Sequence, residues 1–474
     1  MRVSEIENPT NSSFLGNSAP VDVECNEECT EVIGKIPEEL AGSFLRIGPN
    51  SVFVADANAY HPFDGDGMIH EVNFANGAAT YINRFVETNG LRLEREKGDW
   101  IWTGLASPPD ITNEHGMLKN VANTAMVFHA GKLFALWEGG NPYHLSLPAL
   151  DTVEEYDYDG KLNHPFTAHP KVDPITGEMV TFGASLMSSP FCSVSVVNKD
   201  GELVHSTGVD LPKAIMMHDC AITSNYTLIL DLPFTYNLEN MAKGEPILQW
   251  DPENGSRIGV LARGAEGSDI RWFTIKNGFV FHTVNAFEEG DEVVLEACRS
   301  NKMGSLTGER SDDVKVEDLP RMYQWRLNMK TGDVAERLLD ADWGSEFPRI
   351  NENYMGLRNQ YSYNGRMPQN AKGALGFDGI IKYDLVNETS QHFEYGPGRY
   401  GGEPIFAPKK DGTIEDDGWV IGFVWDDKEQ RSECVVLDAA NFNAGPVARI
   451  KMPARVPFGF HAGWVDQDSI EHQR

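Results

Sequence analysis

Apolar, β-branched and aromatic runs alternate along the chain with short polar turns, and very little of it carries the three-to-four spacing of a helix. The turns share one chemistry. Residues 73–77 (NFANG), 173–177 (DPITG), 198–201 (NKDG), 251–255 (DPENG) and 328–332 (NMKTG) each end on glycine, where a hairpin needs a positive φ. Their flanks read as strands, for example 278–282 (GFVFH) and 419–425 (WVIGFVW). Spacing between these turns is irregular, from 24 to 100 residues between successive glycines, which argues against a strict short-repeat array. It agrees with a β-propeller whose blades carry unequal loops. Two or three separate β-sandwiches would need polar linkers that the chain lacks. The expectation is an all-β protein with one closed domain over residues 1–474, of which about 1–30 form an N-terminal extension. One segment departs from the pattern. Residues 232–242 (LPFTYNLENMA) place Phe234, Leu238 and Met241 at helical spacing. They read either as a loop helix packed on the core or as an apolar lip that dips into a bilayer.

Composition narrows the function. Lys and Arg number 40 against 71 Asp and Glu, a formal charge of −31. So negative a chain repels phosphate backbones and lacks the basic clusters that dock on anionic membranes, so no nucleic-acid partner is expected. With 41% hydrophobic and 10% aromatic residues it has ample material for a core. Six scattered cysteines do not make a disulfide scaffold, and Cys25 with Cys29 is their one close pair. The N-terminal stretch has no apolar signal core and no run of about 18 apolar residues occurs, so a cytoplasmic protein is expected. No GxSxG elbow, phosphate-binding loop or dinucleotide fingerprint is present. The acidic turn at 64–67 (DGDG) offers too few ligands for calcium and reads as a tight turn.

Four of the thirteen histidines stand out by context: His169 before a hairpin turn, His218 entering a β run, His282 at the end of FVFH, and His461 near the C-terminus. Successive members lie 49, 64 and 179 residues apart, so no local finger can form. They meet only if the chain closes on itself. His61, His70, His115 and His129 read as packing or loop residues.

The chain resembles the carotenoid cleavage oxygenase family over nearly its whole length. The resemblance rests on motifs in order: 42–50 (GSFLRIGPN), 63–68 (FDGDGM), 122–124 (ANT), 135–140 (ALWEGG), 168–171 (AHPK), 217–219 (MHD), 281–282 (FH), 346–349 (EFPR), 403–408 (EPIFAP) and 460–461 (FH). It implies a seven-bladed β-propeller capped by loops and short helices. One Fe(II) per chain would sit on the axis, held by His169, His218, His282 and His461, with O₂ as co-substrate. It further assigns Glu138 to His218, Glu346 to His282 and Glu403 to His461, leaving His169 without a glutamate. Thr124 matches a threonine that narrows one vacant metal position.

The family's substrates divide into long polyenes and phenolic alkenes of the stilbene and isoeugenol type. Phenol-cleaving members carry a lysine immediately before the glutamate that here is Glu138, and a tyrosine in the loop after the first blade. Here those positions are Trp137 and Leu105, both apolar. With Phe281 they would line an apolar substrate cavity. The expected activity is dioxygenase cleavage of a carotenoid or apocarotenoid C=C bond into two carbonyl products. Phenolic alkene cleavage, isomerisation and a non-catalytic propeller are the alternatives. The expected partner is a lipophilic polyene, with transient membrane contact through the 232–242 lip and no obligate protein partner.

Overall fold

A computed structural model describes residues 1–105, 107, 110–240, 247–303, 317, 319–368 and 376–473. Seven antiparallel sheets are the blades of a β-propeller. Blade one holds Asn26–Glu28, Gly42–Pro49, Gly67–Ala75, Ala78–Phe85 and Ala462–Asp466. Blades two and three start at Ala125–His129 and Lys171–Val172, blades four and five at Ala221–Ile222 and Phe279–Glu289, and blade six at Ser345–Arg349. Blade seven includes Val32–Gly34, Ile405–Pro408, Gly418–Asp426, Arg431–Asp438 and Pro446–Lys451.

Both ends of the chain close the ring. The C-terminal strand Ala462–Asp466 pairs with Gly42–Pro49, and Asn26–Glu28 joins the opposite edge of the same blade. Val32–Gly34 then crosses to the outer edge of blade seven. One apolar cluster fills the seam, with Phe44, Phe74 and Tyr81 from blade one against Trp419, Ile421 and Val436 from blade seven. Burial of those side chains, at roughly 25 cal/mol per Å², is what holds the two ends together.

The expected turns are present. Gly77, Gly177, Gly201, Gly255 and Gly332 have φ of +74°, +71°, +88°, +73° and +86°. Four of them close hairpins. Gly255 instead ends a 3₁₀ turn, Pro252–Asn254, that carries the chain from one sheet to another. Residues 279–289 and 418–426 are strands, as their patterning suggests. The helical reading of 232–242 is corrected over 232–238, and among the described residues only Glu239 and Asn240 of that span are helical. Phe234–Tyr236 is a strand paired with Leu248–Trp250, and Phe234 is only 2% exposed. Leu232 and Phe234 belong to the core under this hairpin, while Leu238 is half-buried; Met241 and Ala242 lie outside the described residues. A helix that the pattern does not announce spans Asn89–Lys97. Thr88 Oγ1 caps it by accepting from Leu91 N at 3.1 Å, and Gly98 ends it at φ +77°. It buries only Leu91 and Glu94, too short a stripe to read from sequence.

Candidate metal centre

The axis ends of the blades bring four imidazoles together. His169 lies just before the first strand of blade three, His218 before that of blade four, His282 near the start of that of blade five, and His461 directly before Ala462–Asp466 of blade one. One ring nitrogen from each falls within 4.8 Å of all the others. Nε2 of His218 is 3.0 Å from Nε2 of His169 and 3.2 Å from Nε2 of His282. Two metal–nitrogen bonds of about 2.1 Å at right angles would put nitrogens about 3 Å apart, so the donor spacing fits one metal ion.

Carboxylates fix the rings from the remaining blades. Glu138 accepts from His218 Nδ1 in a short contact. Glu346 Oε2 lies 2.6 Å from His282 Nδ1, and Glu403 Oε1 lies 3.1 Å from His461 Nδ1. Glu403 also accepts the backbone N–H of Ala462. These bonds put the hydrogen on Nδ1 and turn each Nε2 lone pair toward the centre. Each of the seven blades thus contributes one residue: histidines from one, three, four and five, glutamates from two, six and seven.

Electrostatics point the same way. Burial, reinforced by the neighbouring imidazoles, holds His169, His282 and His461 well below the usual histidine range, in the neutral form that ligates metal. Burial alone would lower His218 too, but the Glu138 carboxylate raises it. Burial pushes Glu346 up to about 8 and raises Glu403 despite Arg349 close by. Neutral imidazoles whose lone pairs face one point are the donor set that a divalent transition-metal cation takes.

Other expected residues fall nearby. Thr124 begins the approach to blade two. Its carbonyl accepts from His461 N at 3.2 Å and its hydroxyl donates to Asn123 Oδ1 at 2.9 Å. The Phe281 ring packs edge-on against His218 at 5.3 Å. Trp137 and Leu105 line a shallow surface cleft with Phe53, Phe63, Trp102 and Met117. Asp64 accepts the backbone N–H of Leu105 at 3.0 Å, and Asp66 pairs with Lys119, so the acidic turn is committed to loop structure. His70 bonds Tyr81 at 2.7 Å, His129 bonds the Gly177 carbonyl at 2.9 Å, and neither these nor His61 and His115 join the cluster.

Sequence reasoning passed over Phe347. It holds φ +52°, in the left-handed region, and its ring stacks on His461 at 4.7 Å and packs on His282 at 4.8 Å. Such a conformation in a residue with a side chain is strain held beside a functional centre. Its only signal in the sequence is its place between Glu346 and Pro348.

The family model described as retinal pigment epithelial membrane protein matches residues 18–466. A carotenoid 9,10(9′,10′)-cleavage dioxygenase of Crocus sativus is 39% identical, over 97% of this chain and 90% of its own length. Lignostilbene dioxygenase of Pseudomonas brassicacearum superposes with a TM-score of 0.88 at 28% identity, covering 98% of this chain and 100% of that one. The cobalt-substituted Synechocystis apocarotenoid oxygenase does so with a TM-score of 0.84 at 29% identity, covering 94% and 97%. With its fold, its tetrahistidine centre and relatives named as carotenoid cleavage dioxygenases, the chain belongs to the RPE65/carotenoid oxygenase family.

Proposed function

We propose that this protein is a non-haem Fe(II) dioxygenase that cleaves a C=C bond of a carotenoid or apocarotenoid, adding both atoms of O₂ to give two carbonyl fragments. The observation that carries the substrate class is the cleft. Trp137, immediately before Glu138, and the exposed Leu105 supply apolar wall where phenol recognition needs polar groups. The polar side chains in that cleft are already engaged. Lys119 Nζ is held by Asp66 and by Glu94 Oε2 at 2.6 Å, and the Tyr60 hydroxyl is bonded to Ser51 at 2.7 Å. Asp64 carries charge that repels a phenolate. Selection on a hydroxyl requires an uncommitted partner, so an apolar rod is the better occupant.

His169, His218, His282 and His461 would hold the iron, which supplies the electron chemistry that lets O₂ react with a C=C bond. Glu138, Glu346 and Glu403 keep each Nδ1 proton in place and the opposite lone pair free. Thr124, beside His461, narrows the space around the centre; Trp137 and Phe281 stack along the conjugated chain. Exposed Phe63, Leu105, Met117 and Leu118 rim the cleft, and this rim replaces the 232–242 segment as the apolar contact for a lipophilic substrate.

Iron-loaded protein incubated with apocarotenals should bleach the polyene absorption band and yield two carbonyl products by mass spectrometry. Turnover of isoeugenol or a lignostilbene faster than any polyene would replace this reading with phenolic alkene cleavage.

A further inference from the structure

His169 is the member of the cluster whose ring meets no glutamate among the described residues, yet it needs a fixed orientation as much as the other three. Two residues beyond it, Lys171 opens the first strand of blade three and reaches across to blade four. There its Nζ lies 2.8 Å from Oδ1 of Asp219, whose side chain is 1% exposed. The carboxylate makes more contacts than this one. Oδ1 also accepts the N–H of Cys220 at 2.7 Å, while Oδ2 accepts both the N–H and the hydroxyl of Thr283 at 2.8 Å. Thr283 follows His282 directly, and Asp219 follows His218 directly. The Cys220 thiol in turn lies 3.9 Å from the carbonyl of His169.

We propose that Asp219 is a positioning residue for the metal centre. It staples the segments carrying His169, His218 and His282 to one another and, through Lys171, gives His169 the constraint that a glutamate gives each of the others. A carboxylate with no outlet to solvent must have every lone pair answered. The answers here come from three different blades. Shortening or neutralising it would free three histidine-bearing segments to shift, and ring orientation is what a metal centre tolerates least. The inference rests on the tetrahistidine site being a metal centre and is independent of which alkene is cleaved.

The test reads metal binding and not turnover, so a wrong substrate assignment leaves it intact. Asp219→Asn, Lys171→Met and Lys171→Arg are compared with Asp231→Asn, which breaks a buried ion pair to Arg257 (2.7 Å) elsewhere in blade four. Fe(II) affinity is measured by chelator competition, ligand geometry by the visible spectrum of the Co(II)-loaded protein, and stability by melting of the metal-free form. Asp219→Asn should weaken Fe(II) binding by about 10- to 100-fold, the usual effect of removing an outer partner, and shift the Co(II) bands. Lys171→Met should shift them less, and Lys171→Arg should restore them. Asp231→Asn should lower the melting temperature without touching either metal readout. Wild-type affinity and an unchanged Co(II) spectrum in Lys171→Met and in Asp219→Asn would overturn the proposal, as would an equal loss in Asp231→Asn. Should Asp219→Asn fail to fold, the two Lys171 variants decide.

Discussion

The axis site and the surface cleft that Trp137 lines are built by opposite means. At the axis, all seven blades deliver one side chain each from the ends of paired strands, and six of those seven residues are locked in three histidine–glutamate pairs. The cleft is walled largely by loops, including Phe53–Asp56, Trp102–Leu105 and Met117–Lys119, and several of its apolar side chains are exposed. The axis is therefore rigid because moving any residue there means moving a sheet, whereas the cleft changes by single substitutions that disturb no sheet. In the function proposed above, reaction chemistry belongs to the first region and choice of substrate to the second.

That contrast breaks most visibly at a ligand. His282→Ala should abolish stoichiometric iron by elemental analysis and lower turnover more than about 100-fold, beyond what loss of an orienting partner costs. Retention of one iron per chain would mean the four histidines do not act together. Glu346→Gln leaves the ligand but replaces the carboxyl group that holds its Nδ1 proton. A 10- to 100-fold weaker iron affinity with an unchanged melting temperature is expected.

A buried carboxylate away from the axis separates burial from site chemistry. Glu296 of blade five is answered by Gln324 Nε2 at 2.8 Å, and burial pushes it up to about 7. Its folded-state value lies above the ordinary 4.5, so the protonated form is the one the fold favours. Its stabilising contribution is full below about pH 4.5 and lost as pH rises through about 7. Glu296→Gln should therefore gain roughly 3 kcal/mol over the parent at pH 8 and nothing at pH 4, by chemical denaturation. Iron content should not change.

The smallest effect tests the cleft. Trp137→Lys introduces the cation that phenol-cleaving relatives of the resemblance carry, and should move the ratio of phenolic-alkene to polyene turnover about tenfold toward the phenol, or about 1.4 kcal/mol. A ratio that stays put would show that selectivity is set elsewhere than beside Glu138.

Much of the site was legible through the family resemblance that its motifs carry. The structure puts Glu138, Glu346 and Glu403 against their histidines, the last two buried and Glu138 partly exposed. Asp219 was in view inside 217–219 (MHD) but gave no sign of its role, because its partners Lys171 and Thr283 are 48 and 64 residues away. The segment 232–242 misled for a related reason. Apolar residues spaced three and four apart satisfy a helix, but Phe234 also satisfies a strand once Leu248–Trp250 lies beside it.

What the sequence determined by itself is local: where the chain turns, through glycines whose positive φ other residues resist, and where it runs extended, through β-branched and aromatic runs. Such preferences act over a few residues and need no partner. The convergence of His169, His218, His282 and His461 was decided only by the tertiary structure. It depends on the ring closing, with Ala462–Asp466 returning to Gly42–Pro49 across more than four-fifths of the chain. No local preference encodes that distance. Only the burial of the seam between the first and last blades makes closing the ring worth its entropy, and the metal centre forms on the axis that results.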